Sequence, residues 1–123
     1  MSQTVLVVDD SKTMRDMVTF TLTGAGFQVV QAGDGKEAVG KLSNGSKPAL
    51  IVTDLNMPEM DGITLIKEIR KMPALKFLPI LMLTTESSDE KKAEGRAAGA
   101  TGWIVKPFNP EQFLKVLKKV LPA

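Results

Sequence analysis

Five side chains able to do chemistry fall where apolar runs end. Asp9 and Asp10 follow Val5–Val8, Asp54 follows Leu50–Val52 and Thr53, Thr84 follows Ile80–Leu83 with Glu86 just beyond, and Lys106 follows Trp103–Val105. Taken singly, each has an ordinary explanation. An Asp after a strand most often caps the next helix, a Thr there closes a turn, and a Lys is a solvated amine. Brought together they point elsewhere. Converging carboxylates repel one another, and a fold tolerates them when a cation lies between. Hard oxygen donors suit Mg²⁺, with Mn²⁺ as a possible substitute, and Lys106 adds a second positive charge. A carboxylate beside such a cation can attack phosphorus and become an aspartyl phosphate. That reaction depends on positioning and charge neutralisation, and the attacking group, already ionised, needs no general base.

Composition narrows the alternatives. The 123 residues include no cysteine, no histidine and no tyrosine. Disulfides, thiol nucleophiles, zinc–thiolate sites and imidazole bases are therefore excluded. Sixteen basic against 14 acidic residues leave a net charge of only +2, too even for a nucleic-acid interface, which needs a concentrated basic face. Lys115, Lys118 and Lys119 read as the solvated side of a helix. No apolar run approaches the roughly 20 residues of a membrane span, and Met1-Ser2-Gln3-Thr4 lacks the basic flank and apolar core of an export signal. A cytoplasmic, monomeric protein with no membrane contact is the expectation.

The elements that must carry these residues alternate in type. Apolar runs at Val5–Val8, Phe27–Val30, Leu50–Val52, Ile80–Leu83 and Trp103–Val105 read as strands, the first and fourth nearly continuous, as in strands covered on both faces. Between them Met14, Met17, Val18 and Thr21, then Ile63, Ile66 and Ile69, then Phe113, Leu114, Leu117, Val120 and Leu121 recur at helical spacing. Asp34 before Glu37, Ser87 before Glu90, and Asn109-Pro110-Glu111-Gln112 are helix starts. Gly24/Gly26, Asn44-Gly45 and Gly99 are stops. Five strands alternating with five helices predict an α/β fold, a parallel sheet with helices on both faces, filling residues 1–123 as one domain. In such sheets ligands bind beyond the carboxyl ends of the strands, which is where the reactive residues stand.

Four stretches give the chain a family resemblance. They are Val7-Val8-Asp9-Asp10-Ser11, Asp54-Leu55-Asn56-Met57-Pro58-Glu59-Met60-Asp61-Gly62, Leu83-Thr84-Thr85-Glu86, and Gly99-Ala100-Thr101-Gly102-Trp103-Ile104-Val105-Lys106-Pro107-Phe108. In this order they resemble the receiver domain of two-component response regulators, most closely the single-domain chemotaxis type. The resemblance implies a flavodoxin-like sheet of order 2-1-3-4-5. It implies that Asp54 accepts a phosphoryl group from a histidine kinase, and that Asp10 binds Mg²⁺ directly and Asp9 through water. Asn56 would add its backbone carbonyl and Asp54 a carboxylate oxygen to the metal. Thr84 would hydrogen-bond a phosphoryl oxygen, and Lys106 would pair with its charge across a cis Lys106–Pro107 bond. Trp103 matches the switch aromatic that turns inward when Thr84 moves. Asn56 and Glu86 match the pair that tunes dephosphorylation, so a lifetime nearer seconds than hours is expected.

Two departures stand out. The fourth helix, roughly Ser88 to Ala98, has no large apolar residue and contains Gly95, so only Ala93, Ala97 and Ala98 are expected to pack. It reads either as a plain surface helix or as a loosely held element beside Thr84. The switch aromatic is Trp103, the sole tryptophan, whose emission is expected to report activation by a phosphate mimic. Ser11 is expected to cap a helix. Met14, Met17, Met72 and Met82 are expected to fill the core, and Met57 and Met60 to be exposed enough to meet a kinase.

The functional expectation is a stand-alone phosphorylation switch, not an enzyme in the ordinary sense. With no output domain attached, it would act by binding in trans to a flagellar motor switch protein or a phosphatase, through the fourth helix, the fifth strand and the fifth helix. A phosphate sink or relay intermediate needs the same active site. An aspartyl-nucleophile small-molecule phosphatase is the remote alternative, because such enzymes usually carry an acid two positions after the nucleophile, where this chain has Asn56.

Overall fold

The computed structural model describes residues 3–121; Met1 and Ser2, part of the N-terminal stretch read for an export signal, lie outside them. The elements run β1 Thr4–Val8, α1 Lys12–Gly24, β2 Gln28–Ala32, α2 Gly35–Ser43, β3 Leu50–Thr53, α3 Gly62–Arg70, a 3-10 turn Pro73–Leu75, β4 Ile80–Thr84, α4 Asp89–Ala98, β5 Gly102–Val105 and α5 Pro110–Val120. All strand pairs are parallel, in the order β2-β1-β3-β4-β5. This is the α/β fold and strand order expected. β2 begins one residue later than its apolar run and extends through Gln31 and Ala32.

Strand alternation divides the core in two. Leu6, Val8, Ile51, Ile80 and Met82 face α2 and α3, where Ala38, Leu42, Ile63, Leu65, Ile66 and Ile69 meet them. Val5, Val7, Leu50, Val52, Leu81 and Leu83 face α1 and α5, against Val18, Leu22, Phe113 and Leu117. Both faces of the central strands are covered, which is why they read as unbroken apolar runs.

The caps follow side-chain chemistry. Ser11 accepts from the Met14 N–H, Asp34 from Glu37 and Asn109 from Gln112. Two starts differ from expectation. α4 is capped by Ser88, accepting from Lys91 at 3.2 Å, rather than by Ser87. Asp61 caps α3 through Thr64 at 2.8 Å, although the sequence marks it as part of a motif. Gly26, Gly45 and Gly99 take positive φ at the helix ends, as left-handed stops require.

The methionines sort differently from the expectation. Met82 is buried and Met14 and Met72 are half-buried, but Met17 is 51% exposed. The apolar face of α1 turns on Val18 and Leu22, one position round from Met17. Met57 is buried and Met60 half-buried, both against the α2–α3 side of the core, so Met57 is not the exposed contact expected. In α4, Ala93 and Ala97 are exposed; the residues turned inward are Gly95 and Ala98. α4 is also anchored from outside. Arg70 at the end of α3 donates to the carbonyls of Leu75, Lys76 and Gly99, the last at 2.7 Å. Its partial burial pulls its pKa down, and three carbonyl acceptors supply the partners a buried cation needs.

Candidate functional site

Register decides which side chains meet. Val8 on β1 lies opposite Thr53 on β3, and the Asp54 N–H donates to the Val8 carbonyl at 2.9 Å. The residues leaving these strands, Asp9 and Asp54, are therefore neighbours. β4 and β5 continue the edge: Thr84 pairs with Val105, and the Lys106 N–H donates to the Thr84 carbonyl at 2.8 Å. The Lys106–Pro107 bond is cis, as the resemblance implied.

Oxygens of Asp9, Asp10 and Asp54 lie within 4.8 Å of one another. Asp9 and Asp54 are buried and Asp10 is exposed. Lys106 Nζ sits 2.9 Å from Asp9 Oδ2 and 3.6 Å from Asp54 Oδ2. The ammonium is thus shared between two of the acids. These side chains are only 6–11% exposed, so water screens them little and the attraction exceeds that of a surface pair. The remaining oxygens have fixed duties. Asp9 Oδ1 accepts from the Ser11 N–H at 2.9 Å and Asp54 Oδ1 from the Leu55 N–H at 2.8 Å. Arg15 donates to the Asp9 carbonyl at 2.6 Å, which fixes the backbone between the two acids and α1.

A divalent ion fits this donor set. Three hard carboxylates converge, and the exposed Asp10 leaves a side open for the waters Mg²⁺ retains. Asp9, Asp10, Asp54 and the Asn56 backbone carbonyl are the groups that would hold it. Asn56 is exposed, two residues beyond Asp54.

Thr84 is fully buried, and its Oγ1 accepts from the Glu86 N–H at 3.3 Å. Glu86 is the junction of the β4–α4 loop. Its carbonyl accepts from Trp103 Nε1 at 2.9 Å, and its carboxylate accepts from the Ser88 N–H at 3.1 Å. Ser88, through its hydroxyl and its N–H, holds the Glu86 carboxyl below its usual range. The Glu86 carboxylate is therefore engaged at the start of α4. Trp103 is half-buried and packs against the core. Sequence reasoning had no signal for the Arg70 clamp, since it depends on a glycine, Gly99, approached by a side chain from a distant part of the chain.

A model of the response regulator receiver domain matches residues 5–118. The chain belongs to the response regulator receiver family. Among receivers and their relatives, it is 41% identical to the chemotaxis protein CheY1 of Helicobacter pylori over 95% of each chain. The structure superposes on the chemotaxis protein CheY4 of Vibrio cholerae with a TM-score of 0.94 and 52% identity, over 98% of this chain and 100% of that one. The signal receiver domain of a signal transduction histidine kinase from Syntrophus aciditrophicus gives a TM-score of 0.89 at 32% identity, over 98% of this chain and 90% of that one. Among the described residues, no helix of this receiver is long and apolar enough to cross a membrane.

Proposed function

We propose that this receiver is a chemotaxis response regulator in which Asp54 accepts a phosphoryl group from the phosphohistidine of a histidine kinase. The observation that carries the reading is the approach of Asp9, Asp10 and Asp54 to within 4.8 Å beside Lys106. Support for the chemotaxis role comes from the two relatives whose names state it.

In the proposed reaction an Asp54 carboxylate oxygen attacks phosphorus, the P–N bond breaks, and its electron pair leaves with the imidazole. Bound Mg²⁺ would neutralise phosphoryl oxygens as charge shifts toward the leaving group. The Leu55 N–H, held on Asp54 Oδ1, orients the carboxylate so that Oδ2, 3.6 Å from Lys106 Nζ, is the oxygen that attacks. Lys106 then moves its charge from the carboxylates to the phosphoryl group. Thr84 donates its hydroxyl proton to a phosphoryl oxygen. Because that hydroxyl also holds the Glu86 N–H, the loop bearing the Trp103 acceptor follows it. Asn56 and Glu86 tune hydrolysis of the aspartyl phosphate, giving a lifetime nearer seconds than hours.

The output surface proposed is α4, β5 and α5, in a monomeric, cytoplasmic protein that binds in trans. β5 is an edge strand, and Trp103 separates two hollows. One, of about 80 Å³, is lined by Lys92, Arg96 and Thr101. The other, of about 320 Å³, is lined by Ile104, Val105, Phe108 and Val116. Cations on one side, and on the other apolar side chains interleaved with Asn109 and Gln112, suit an acidic amphipathic segment, as of a flagellar motor switch protein or a phosphatase.

Incubation with acetyl phosphate and Mg²⁺ tests the reading. Wild type should take up one phosphoryl group and Asp54→Asn none; label retained by the variant means the acceptor lies elsewhere. The likeness to a kinase-borne receiver favours a second reading, a relay intermediate or phosphate sink. Transfer of label onward to a histidine phosphotransferase domain, without binding to a motor-switch peptide, would support it.

A further inference from the structure

The loop from Leu55 to Asp61 carries the carbonyl that would bind the metal, and little of it is regular structure. Its ends are tied. The Gly62 N–H donates to the Leu55 carbonyl at 2.8 Å, and a Cβ on Gly62 would collide with the Asp54 carbonyl oxygen. Its middle is strained. The Met60 N–H donates to the Pro58 carbonyl at 2.7 Å, closing a three-residue turn around Glu59, whose φ is +67°. Glutamate gains nothing locally from this left-handed region, and such turns persist when their surroundings over-determine them.

Those surroundings are the first turn of α2. The Met60 side chain lies on Gly35, so closely that a Cβ there would stand 2.8 Å from Met60 Sδ and 3.0 Å from its Cβ and Cγ. The far end of a methionine can turn aside, but Cβ cannot move without the backbone that bears it. One residue on, Lys36 pairs with Glu59 at 3.2 Å; both are well exposed, so this pair adds little. The first turn of α2 is itself fixed. Asp34 accepts from the Glu37 N–H at 2.7 Å and Glu37 from the Gly33 N–H at 2.9 Å, a reciprocal cap. The strand before it accepts the Asp9 N–H at the Ala32 carbonyl. One rigid corner thus reaches the metal-ligand set from both sides, through Asp9 and through the loop after Asp54.

We propose that Gly35 and Met60 are positioning residues for the divalent ion: the bare surface of Gly35 seats Met60, and that seat fixes the loop carrying Asn56. The inference rests on the receiver reading above. A methyl group at position 35 pushes Met60 at its root, so the displacement passes into the loop backbone and from there to the ion.

The experiment titrates the full chain with Mn²⁺, followed by electron paramagnetic resonance, with Mg²⁺ as competitor. Gly35→Ala, Met60→Ala, the double variant and Gly40→Ala are compared with wild type at a temperature where circular dichroism shows each folded. Gly35→Ala should weaken metal binding about tenfold, the scale for groups that orient metal ligands. Met60→Ala should weaken it as well, by loss of the brace. The double variant should lose less than the sum of the two single losses, because the Sδ and Cγ contacts are gone and only the Cβ at position 60, 3.0 Å from the new methyl, remains to be pushed. Gly40→Ala, on the same helix with open space around it, should bind as wild type. Unchanged affinity in Gly35→Ala, or additive losses in the double variant, overturns the proposal. Should Gly35→Ala fail to fold, Met60→Ala decides alone, and wild-type affinity there overturns it. Absence of Mn²⁺ binding by wild type removes the metal-dependent phosphoacceptor reading itself, before any variant is compared.

Discussion

The indole of Trp103 stands where a side chain on Gly95 would begin, its Cζ3 2.7 Å and its Cε3 3.2 Å from the Cβ position. The two departures in the sequence, a bulky aromatic on β5 and a helix-weakening glycine in α4, are therefore one arrangement. The glycine makes room for the ring, whose N–H donates to the Glu86 carbonyl at 2.9 Å.

Gly95→Ala should show that coupling. Alanine gains about 1 kcal/mol of helix propensity, while forcing a methyl against a seated ring costs about 1–3 kcal/mol. The expected net loss is about 1 kcal/mol, with a red shift of Trp103 emission as the indole leaves its acceptor. Urea denaturation and steady-state fluorescence read both. A variant more stable than wild type with unchanged emission contradicts the seat.

Lys106→Met removes the one cation placed among the acids in the described structure. Asp9 and Asp54 are left buried without compensation, which should cost about 3 kcal/mol in metal chelator. Metal no longer competes with the ammonium, so Mg²⁺ affinity should rise while phosphorylation slows. Thermal denaturation with and without Mg²⁺ reads the first effect through the larger metal-induced stabilisation. A smaller metal-induced shift than in wild type is the contrary result.

Asp10→Asn addresses the acid that Lys106 does not reach. It removes like-charge repulsion from an exposed position, so in chelator the protein should gain up to about 1 kcal/mol. The stabilisation by Mg²⁺ should largely vanish. If Mg²⁺ still raises the melting temperature as in wild type, Asp10 is not a ligand.

Glu86 predicts a pH effect with a definite sign. Its carboxyl is held below the usual glutamate value of 4.5 by Ser88, so the charged form is the one that caps the start of α4. The stability it lends is present above the unfolded value and is lost as pH falls through the lower folded value. The Ser88 amide resonance should titrate with a midpoint below 4.5, and Glu86→Gln should abolish the titration. A midpoint at or above the ordinary value removes the capping role.

How much of this was legible in sequence depended on range. Apolar runs and caps act within a few residues, so the strands, the helices and the edge holding Asp9, Asp10, Asp54, Thr84 and Lys106 could be read from the chain. The sharing of Lys106 between two acids could not, because it depends on strand register. The inward face of α4 escaped because its packing residue is a glycine that makes its contact by having no side chain. Met17 and Met57 were misplaced for a related reason: spacing fixes a period but leaves the phase of α1 open, and it says nothing of a loop that folds back on the core.

The Arg70 clamp has a consequence for leverage. It fastens α4 at one end only, through the Gly99 carbonyl, while Ser88 at the other end hangs from the loop that begins at Thr84. Over the ten residues of α4, at about 1.5 Å each, a tilt of about 10° about Gly99 carries the free tip roughly 2.6 Å. A small pull on one buried hydroxyl thus becomes a swing of atomic dimensions at the rim where a partner would sit.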